Sequence, residues 1–205
     1  MAQLLAFALS YLVGAIPIGL IVTRLLSGID IRRYGTGNIG AANVAEHAGR
    51  LAAAITALGV FLQGLLPPLT ARFLGASDAT VVSAALGAVV GYGWPVFLGF
   101  RGGRALGVGT GAATAMNPAG FFVLVTTYAA GAAIRQTSLG TISGFLFYAC
   151  FTILTGSSPA YAAGSILLLM IVAVRRLEGV GEDMKGSETP LKVFLLRLLF
   201  QKRPR

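Results

Sequence analysis

The 205-residue chain holds one cysteine, one histidine and seven acidic residues, and each shortage removes a class of function. Cys150 lies inside an apolar run, which leaves neither a disulfide framework nor a cysteine metal site. With His47 the sole histidine, a multi-histidine metal centre is excluded. The residue five positions beyond His47 is Ala52, not aspartate, which argues against acyltransferases built on a histidine–aspartate pair at that spacing. Glu46 precedes His47 directly, and adjacent residues on a helix point in different directions, so the two are no ready-made dyad. His47 reads better as an interfacial polar residue than as a general base. Charged residues make up only 11% of the chain, against roughly a quarter in soluble domains. Together with a 56% hydrophobic content, this marks an integral membrane protein. No ionisable residue sits deep in an apolar run, which disfavours an ion-coupled transporter. Met1-Ala2-Gln3-Leu4 lacks the basic segment of a cleaved signal peptide and is read as the start of the first span.

What the chain does have is a succession of apolar runs. Residues 2–23, with Pro17 inside, form the first, and 51–71, with Pro67-Pro68 near its end, the second. Runs at 80–91, 139–155 and 159–174 follow the same pattern. Residues 105–134 form either one long span or two short ones broken at Asn117-Pro118. The distribution of cations chooses between them. If that run crosses twice, or dips in and returns, fifteen of the sixteen lysines and arginines share one side and only Arg72 lies opposite. The expectation is therefore an all-α polytopic protein, a single membrane domain over residues 1–205. It has about seven crossing or re-entrant helices, its N-terminus outside and its C-terminus cytoplasmic. The cytoplasmic loops fall at about 24–50, 92–104 and 135–138, and the tail at 175–205, where Lys192 to Arg197 resemble an interfacial helix. The Gly/Ala-rich fourth segment is expected to pack among its neighbours. Orientation and anionic lipid headgroups then account for much of the net charge of +9, and no nucleic acid partner is needed.

Two loops on that shared side repeat one chemistry. The first runs Gly35-Thr36-Gly37-Asn38-Ile39-Gly40-Ala41-Ala42-Asn43, preceded by Arg32 and Arg33. Its glycines permit tight turns and close backbone approach, and backbone N–H groups in such turns can make an anion-binding concavity. Arginines nearby can hold a phosphate bidentately. The second runs from Gly91 to Arg104 and joins glycines to Arg101 and Arg104. Topogenic arginines in plain connections would explain either loop alone; their recurrence favours a shared anion site. A third stretch, Arg135 to Thr141, adds the hydroxyls of Ser138 and Thr141, for which helix capping is an equal alternative.

Taken in order, Ser10 to Pro17, Asp30 to Arg33, Gly35 to Asn43, Gly49, Gly91, Phe97, Phe100, Gly102-Gly103, Ser138 to Thr141, Arg176-Leu177 and Glu182 resemble the bacterial acyl-phosphate:glycerol-3-phosphate acyltransferase (PlsY) family. The resemblance runs over nearly the whole chain. It implies a seven-helix enzyme of the bacterial inner membrane, active on the cytoplasmic face. Such an enzyme moves an acyl group from acyl phosphate to the sn-1 hydroxyl of glycerol-3-phosphate and makes lysophosphatidic acid without cofactor, coenzyme A or metal. Its partners are the two substrates and membrane lipids. On this basis Thr36, Asn38 and Arg104 are the candidate catalytic residues. Gly35, Gly37, Asn43, Arg101, Gly102, Gly103, Ser138 and Thr141 are the candidate substrate ligands, and Glu182 is expected to be structural. The chain departs from the family pattern at several motif positions. Thr36 and Ala42 replace a serine and a threonine, Glu46 a phosphate-binding arginine, and Tyr92 a histidine. Arg104 replaces a lysine, Ala105 a glycine, and Met170 and Ala173 a histidine and an asparagine. These departures keep a second possibility open, a catalytically impaired relative that binds lipid or a partner protein.

Overall fold

The computed structural model describes residues 1–178, all helices and connections. Glu182 and the segment from Lys192 to Arg197 lie outside the described residues. The chain divides into two compact units, Met1–Pro118 and Ala119 onward.

The first unit contains six helices: α1 (Ala2–Gly14), α2 (Ile18–Ser27), α3 (Ala41–His47), α4 (Arg50–Phe73), α5 (Asp78–Gly93) and α6 (Leu106–Met116). What reads as one apolar span at the N-terminus is broken at Ala15 to Pro17, because proline cannot donate into the helical ladder. The carbonyls released there are not left bare. Gln63, buried in the middle of α4, donates its side-chain amide to the carbonyls of Val13 at 2.9 Å and Ile16 at 2.8 Å. Pro67 and Pro68 lie inside α4, which continues through them to Phe73.

Small residues let these helices touch backbone to backbone. A Cβ on Gly87 or Gly91 of α5 would collide with the carbonyls of Phe7 and Tyr11 on α1, and one on Gly14 would meet Ala88 in return. Gly87 and Gly91 are four apart, the spacing that membrane helices use for close crossings. The same device joins α4 to α6, where Gly64 faces the Val108 carbonyl and Gly111 that of Phe61. As its composition implied, α6 is packed: Val108, Ala112 and Ala113 are fully buried. Arg72, the cation expected opposite all the others, donates to the Ala115 carbonyl at 3.3 Å and so caps the C-terminal end of α6.

The second unit begins with α7 (Gly120–Ala133), α8 (Thr137–Leu154) and α9 (Pro159–Leu177). Gly131 of α7 and Gly140 of α8 face each other, with no room for a Cβ on either. Ser158 caps α9 and Pro159 opens it, the preferred order of a helix start. At the other end Arg175, buried, is ion-paired with Glu178.

Among the described residues, five helical stretches are long and apolar enough to cross a membrane: 2–27, 50–73, 78–98, 137–154 and 159–177. The broken run at 105–134 resolves into α6 and α7, with 11 and 14 residues. At ~1.5 Å per residue each is shorter than the ~30 Å hydrocarbon core. The protein is an all-α polytopic membrane protein with several apolar helices of membrane length.

Candidate active site

The loop between α2 and α3 is built around two carboxamides and one carboxylate. Gly28 closes α2 in the left-handed conformation, at φ 68°. Asp30 then accepts from Arg24 Nη2 at 2.9 Å, from Arg32 Nε at 2.9 Å and Nη2 at 2.6 Å, and from the Arg32 backbone at 3.2 Å. Arg32, followed by Arg24, holds the Asp30 carboxyl well below the usual carboxylate range, and Asp30 raises Arg32 in return. A depressed carboxylate stabilises the fold above its unfolded pKa and loses that contribution only as pH falls through the folded value. The clamp is thus intact at neutral pH. It occupies Arg32, which sequence had offered to phosphate. Arg33 is exposed and forms no ion pair among the described residues.

Asn43, in the first turn of α3 and buried, ties the rest of the loop together. Its Nδ2 donates to the carbonyls of Asn38 at 3.0 Å, Tyr34 at 3.1 Å and Ile31 at 3.3 Å, while Oδ1 accepts from the Thr36 N–H at 3.2 Å. Gly37 N–H goes to the Tyr34 carbonyl at 2.9 Å, Asn38 N–H to Thr36 Oγ1 at 3.4 Å, and Gly40 N–H to Asn38 Oδ1 at 3.0 Å. The expected concavity of free backbone N–H groups is therefore corrected: at 36, 37, 38 and 40 they are engaged within the loop. Gly35 and Gly37 adopt φ of 53° and 68°, which a residue with a Cβ rarely tolerates. Ile31 and Ile39 anchor the loop by burying their side chains, and Gly19 of α2 packs against the Ile39 carbonyl.

Sequence gave residues 24–50 as one loop, but α2 extends to Ser27 and a seven-residue helix, α3, occupies its end. His47 closes that helix. Its Nδ1 lies 3.1 Å from the Asn43 carbonyl, an acceptor only, so Nδ1 is the donor in that bond. The ring edge packs against Gly35, and Tyr34 stacks obliquely at 6.0 Å. Glu46 is exposed and forms no ion pair among the described residues.

The second loop leaves the end of α5. Tyr11 of α1 donates its hydroxyl to the Trp94 carbonyl at 2.8 Å and fixes the exit. A 3-10 turn, Val96–Leu98, presents Val96 and Phe97 outward, and Phe100 beside it is also exposed. Gly102 and Gly103 then fold back onto α5. Gly103 N–H donates to the Tyr92 carbonyl at 3.1 Å, and a Cβ on Gly102 would strike that same carbonyl. Arg101 is exposed and makes no ion pair among the described residues; Arg104 is half-buried. Ala105, fully buried, directly precedes α6 as its N-cap, in the left-handed region at φ 60°, ψ 10°.

Tyr92 brings the two loops together. Its side chain, 2% exposed, packs its ring against Gly103 of the second loop. Its hydroxyl lies 3.6 Å from where a Cβ on Gly40 of the first loop would stand. Thr36, Asn38, Gly35, Gly37 and Asn43 thus share the first unit with Arg101, Gly102, Gly103 and Arg104, and one Tyr92 side chain lies against Gly103 of the second loop and near Gly40 of the first. Sequence reasoning missed Gln63, and it marked Tyr92 only as a departure from the family pattern, not as a residue between the loops. A polar residue inside an apolar span was the available signal for Gln63. Ser138 and Thr141 belong to the second unit, where they lie within α8 rather than in a loop or at its cap. Both are buried, and Thr141 Oγ1 donates to the Thr137 carbonyl at 2.7 Å, which leaves its oxygen as an acceptor.

The family model for glycerol-3-phosphate acyltransferase matches residues 4–185. Among curated relatives, the glycerol-3-phosphate acyltransferase of Rubrobacter xylanophilus is 38% identical over 92% of this chain and 94% of its own. That of Geobacter sulfurreducens is 35% identical over 93% and 98%. Among solved structures, PlsY (YgiH), an integral membrane glycerol 3-phosphate acyltransferase, superposes in its glycerol 3-phosphate form with a TM-score of 0.80. The identity is 26%, over 94% of this chain and 98% of that one. Its lysophosphatidic acid form superposes equally, at 0.80 and 26% identity. A match of this extent, across both glycine–arginine loops, places the chain in the glycerol-3-phosphate acyltransferase family.

Proposed function

We propose that this protein is a multi-pass enzyme of the bacterial inner membrane that transfers an acyl group from acyl phosphate to the sn-1 hydroxyl of glycerol-3-phosphate. The products are lysophosphatidic acid and inorganic phosphate. The observation that carries the proposal is the full-length likeness to an acyltransferase captured with glycerol 3-phosphate and with lysophosphatidic acid. The two short helices α6 and α7 suit a seven-segment arrangement, with the N-terminus outside and both glycine–arginine loops cytoplasmic.

The chemistry asks little of a general base. An acyl phosphate is already activated, so the new bond joins the sn-1 oxygen to the acyl carbon and the bond to the phosphate oxygen breaks. The hydroxyl proton passes to the phosphate of glycerol-3-phosphate. Positioning does most of the work and can lower such barriers by ~7–11 kcal/mol in favourable cases. Arg101 and Arg104 hold the phosphates and offset charge that develops at the leaving group. Thr36 and Asn38, held in shape by Asn43, orient the acceptor.

Purified protein given palmitoyl phosphate should release phosphate only when glycerol-3-phosphate is present, and Arg104→Ala should abolish that release. A folded wild-type sample that releases none under these conditions would overturn the assignment and favour the impaired relative, to which Glu46, Met170 and Ala173 point. For topology, single cysteines in a Cys150→Ala background should react with an impermeant reagent from opposite sides at Arg33 and Gly75.

A further inference from the structure

We infer that Tyr92 is a positioning residue, a wedge that sets the spacing between the two glycine–arginine loops. One backbone bond and two side-chain approaches of this residue converge on it. Its carbonyl receives the Gly103 N–H at 3.1 Å and leaves no space for a side chain at Gly102. Its ring occupies the volume where a Cβ of Gly103 would stand. Its hydroxyl ends 3.6 Å from the Cβ position of Gly40, in the loop that carries Thr36 and Asn38. The residue is rooted in the last turn of α5, a helix locked against α1 through Gly87 and Gly91. A rigid helix therefore delivers a rigid ring into the gap between the loops. The first loop uses four of its N–H groups internally and so keeps its own shape. Its distance from Arg101 and Arg104 is then fixed from outside, by what fills the gap.

This inference has one geometric consequence and one kinetic consequence. The kinetic one rests on the acyltransferase function proposed above; the geometric one does not. Loss of the wedge lets the loops vary in separation, which weakens a site that must grip a phosphate from both sides. The group acts through Thr36, Asn38, Arg101 and Arg104 and needs no contact with substrate.

Spin labels at Ala45→Cys and Phe97→Cys, both exposed positions, in a Cys150→Ala background report the loop separation by double electron–electron resonance. The wild-type background should give a narrow distribution. Tyr92→Phe, which keeps the ring against Gly103 but loses the hydroxyl that approaches Gly40, should broaden it slightly, and Tyr92→Ala should broaden or shift it most. Tyr92→Leu, which retains apolar volume without a ring plane, serves in place of Tyr92→Ala if the latter does not fold. In turnover, Tyr92→Ala should raise KM for glycerol-3-phosphate at least tenfold while kcat changes less than threefold, with Tyr92→Phe between it and wild type. An unchanged distance distribution in the ring-deleted variant would overturn the inference. So would a Tyr92→Phe distribution as broad as that of Tyr92→Ala. If the wild type turns over no substrate, the acyltransferase function falls, while the distance measurement still decides the role of Tyr92.

Discussion

Gln63 donates to the carbonyl of Ile16 at 2.8 Å, so a polar side chain in the middle of one helix completes the backbone of another at its proline break. In hydrocarbon no water can take that role, and an unmet carbonyl there is costly. The bond also ties α4 to the start of α2, the helix against which the first glycine loop packs. Gln63→Leu should therefore destabilise the protein by about 1–3 kcal/mol. Thermal unfolding in detergent should fall clearly below that of wild type, and an unchanged midpoint would show that the carbonyls find other partners.

Asn43 was expected among the substrate ligands, yet its amide is engaged by four backbone groups of its own loop. It supports the site by holding Thr36 and Asn38 in register. Asn43→Asp removes the donors and sets a carboxylate against three carbonyls, so it should be worse than Asn43→Ala. Both should lose glycerol-3-phosphate turnover, with the aspartate variant also showing the lower unfolding temperature. Equal stability of the two would contradict this account.

Ala105 stands in the left-handed region at φ 60°. A Cβ there costs on the order of 1 kcal/mol, and glycine pays none of it. Ala105→Gly should raise stability by about 0.5–1 kcal/mol, read as a higher unfolding midpoint. A lower one would mean that the buried methyl contributes more by packing than its backbone costs.

Glu46 projects from α3 without an ion pair among the described residues, directly after the loop proposed to orient the acceptor. Its charge opposes a dianionic substrate. Glu46→Arg should lower KM for glycerol-3-phosphate about three- to tenfold, the scale of ~1 kcal/mol expected for exposed charges. The effect should shrink as salt is added. A salt-independent change would point to altered packing instead.

The long apolar helices were legible because hydropathy and length suffice for them, and Asn117-Pro118 marked the break between α6 and α7. The interior of the first loop was not. Gly35 to Asn43 reads as uniformly small and polar, and nothing local reveals that its N–H groups turn inward on Thr36, Asn38 and Asn43. Helix α3 was hidden for a related reason: glycine and amides mask its start, and only Asn43 bonding back across the loop gives the turn a purpose. Ser138 and Thr141 were drawn into a loop because Arg135 and Gln136 precede them, whereas α8 begins at Thr137. Tyr92 depends on contacts between residues about 50 apart in sequence, which no window along the chain contains.

The most direct test of the proposed function follows both products at once. Purified protein is given palmitoyl phosphate and radiolabelled glycerol-3-phosphate, and lysophosphatidic acid and inorganic phosphate are counted in the same sample. Acyl transfer to the sn-1 hydroxyl predicts equal amounts of the two, both lost in Arg104→Ala. Phosphate released without labelled lysophosphatidic acid would mean hydrolysis rather than transfer, and would contradict the account.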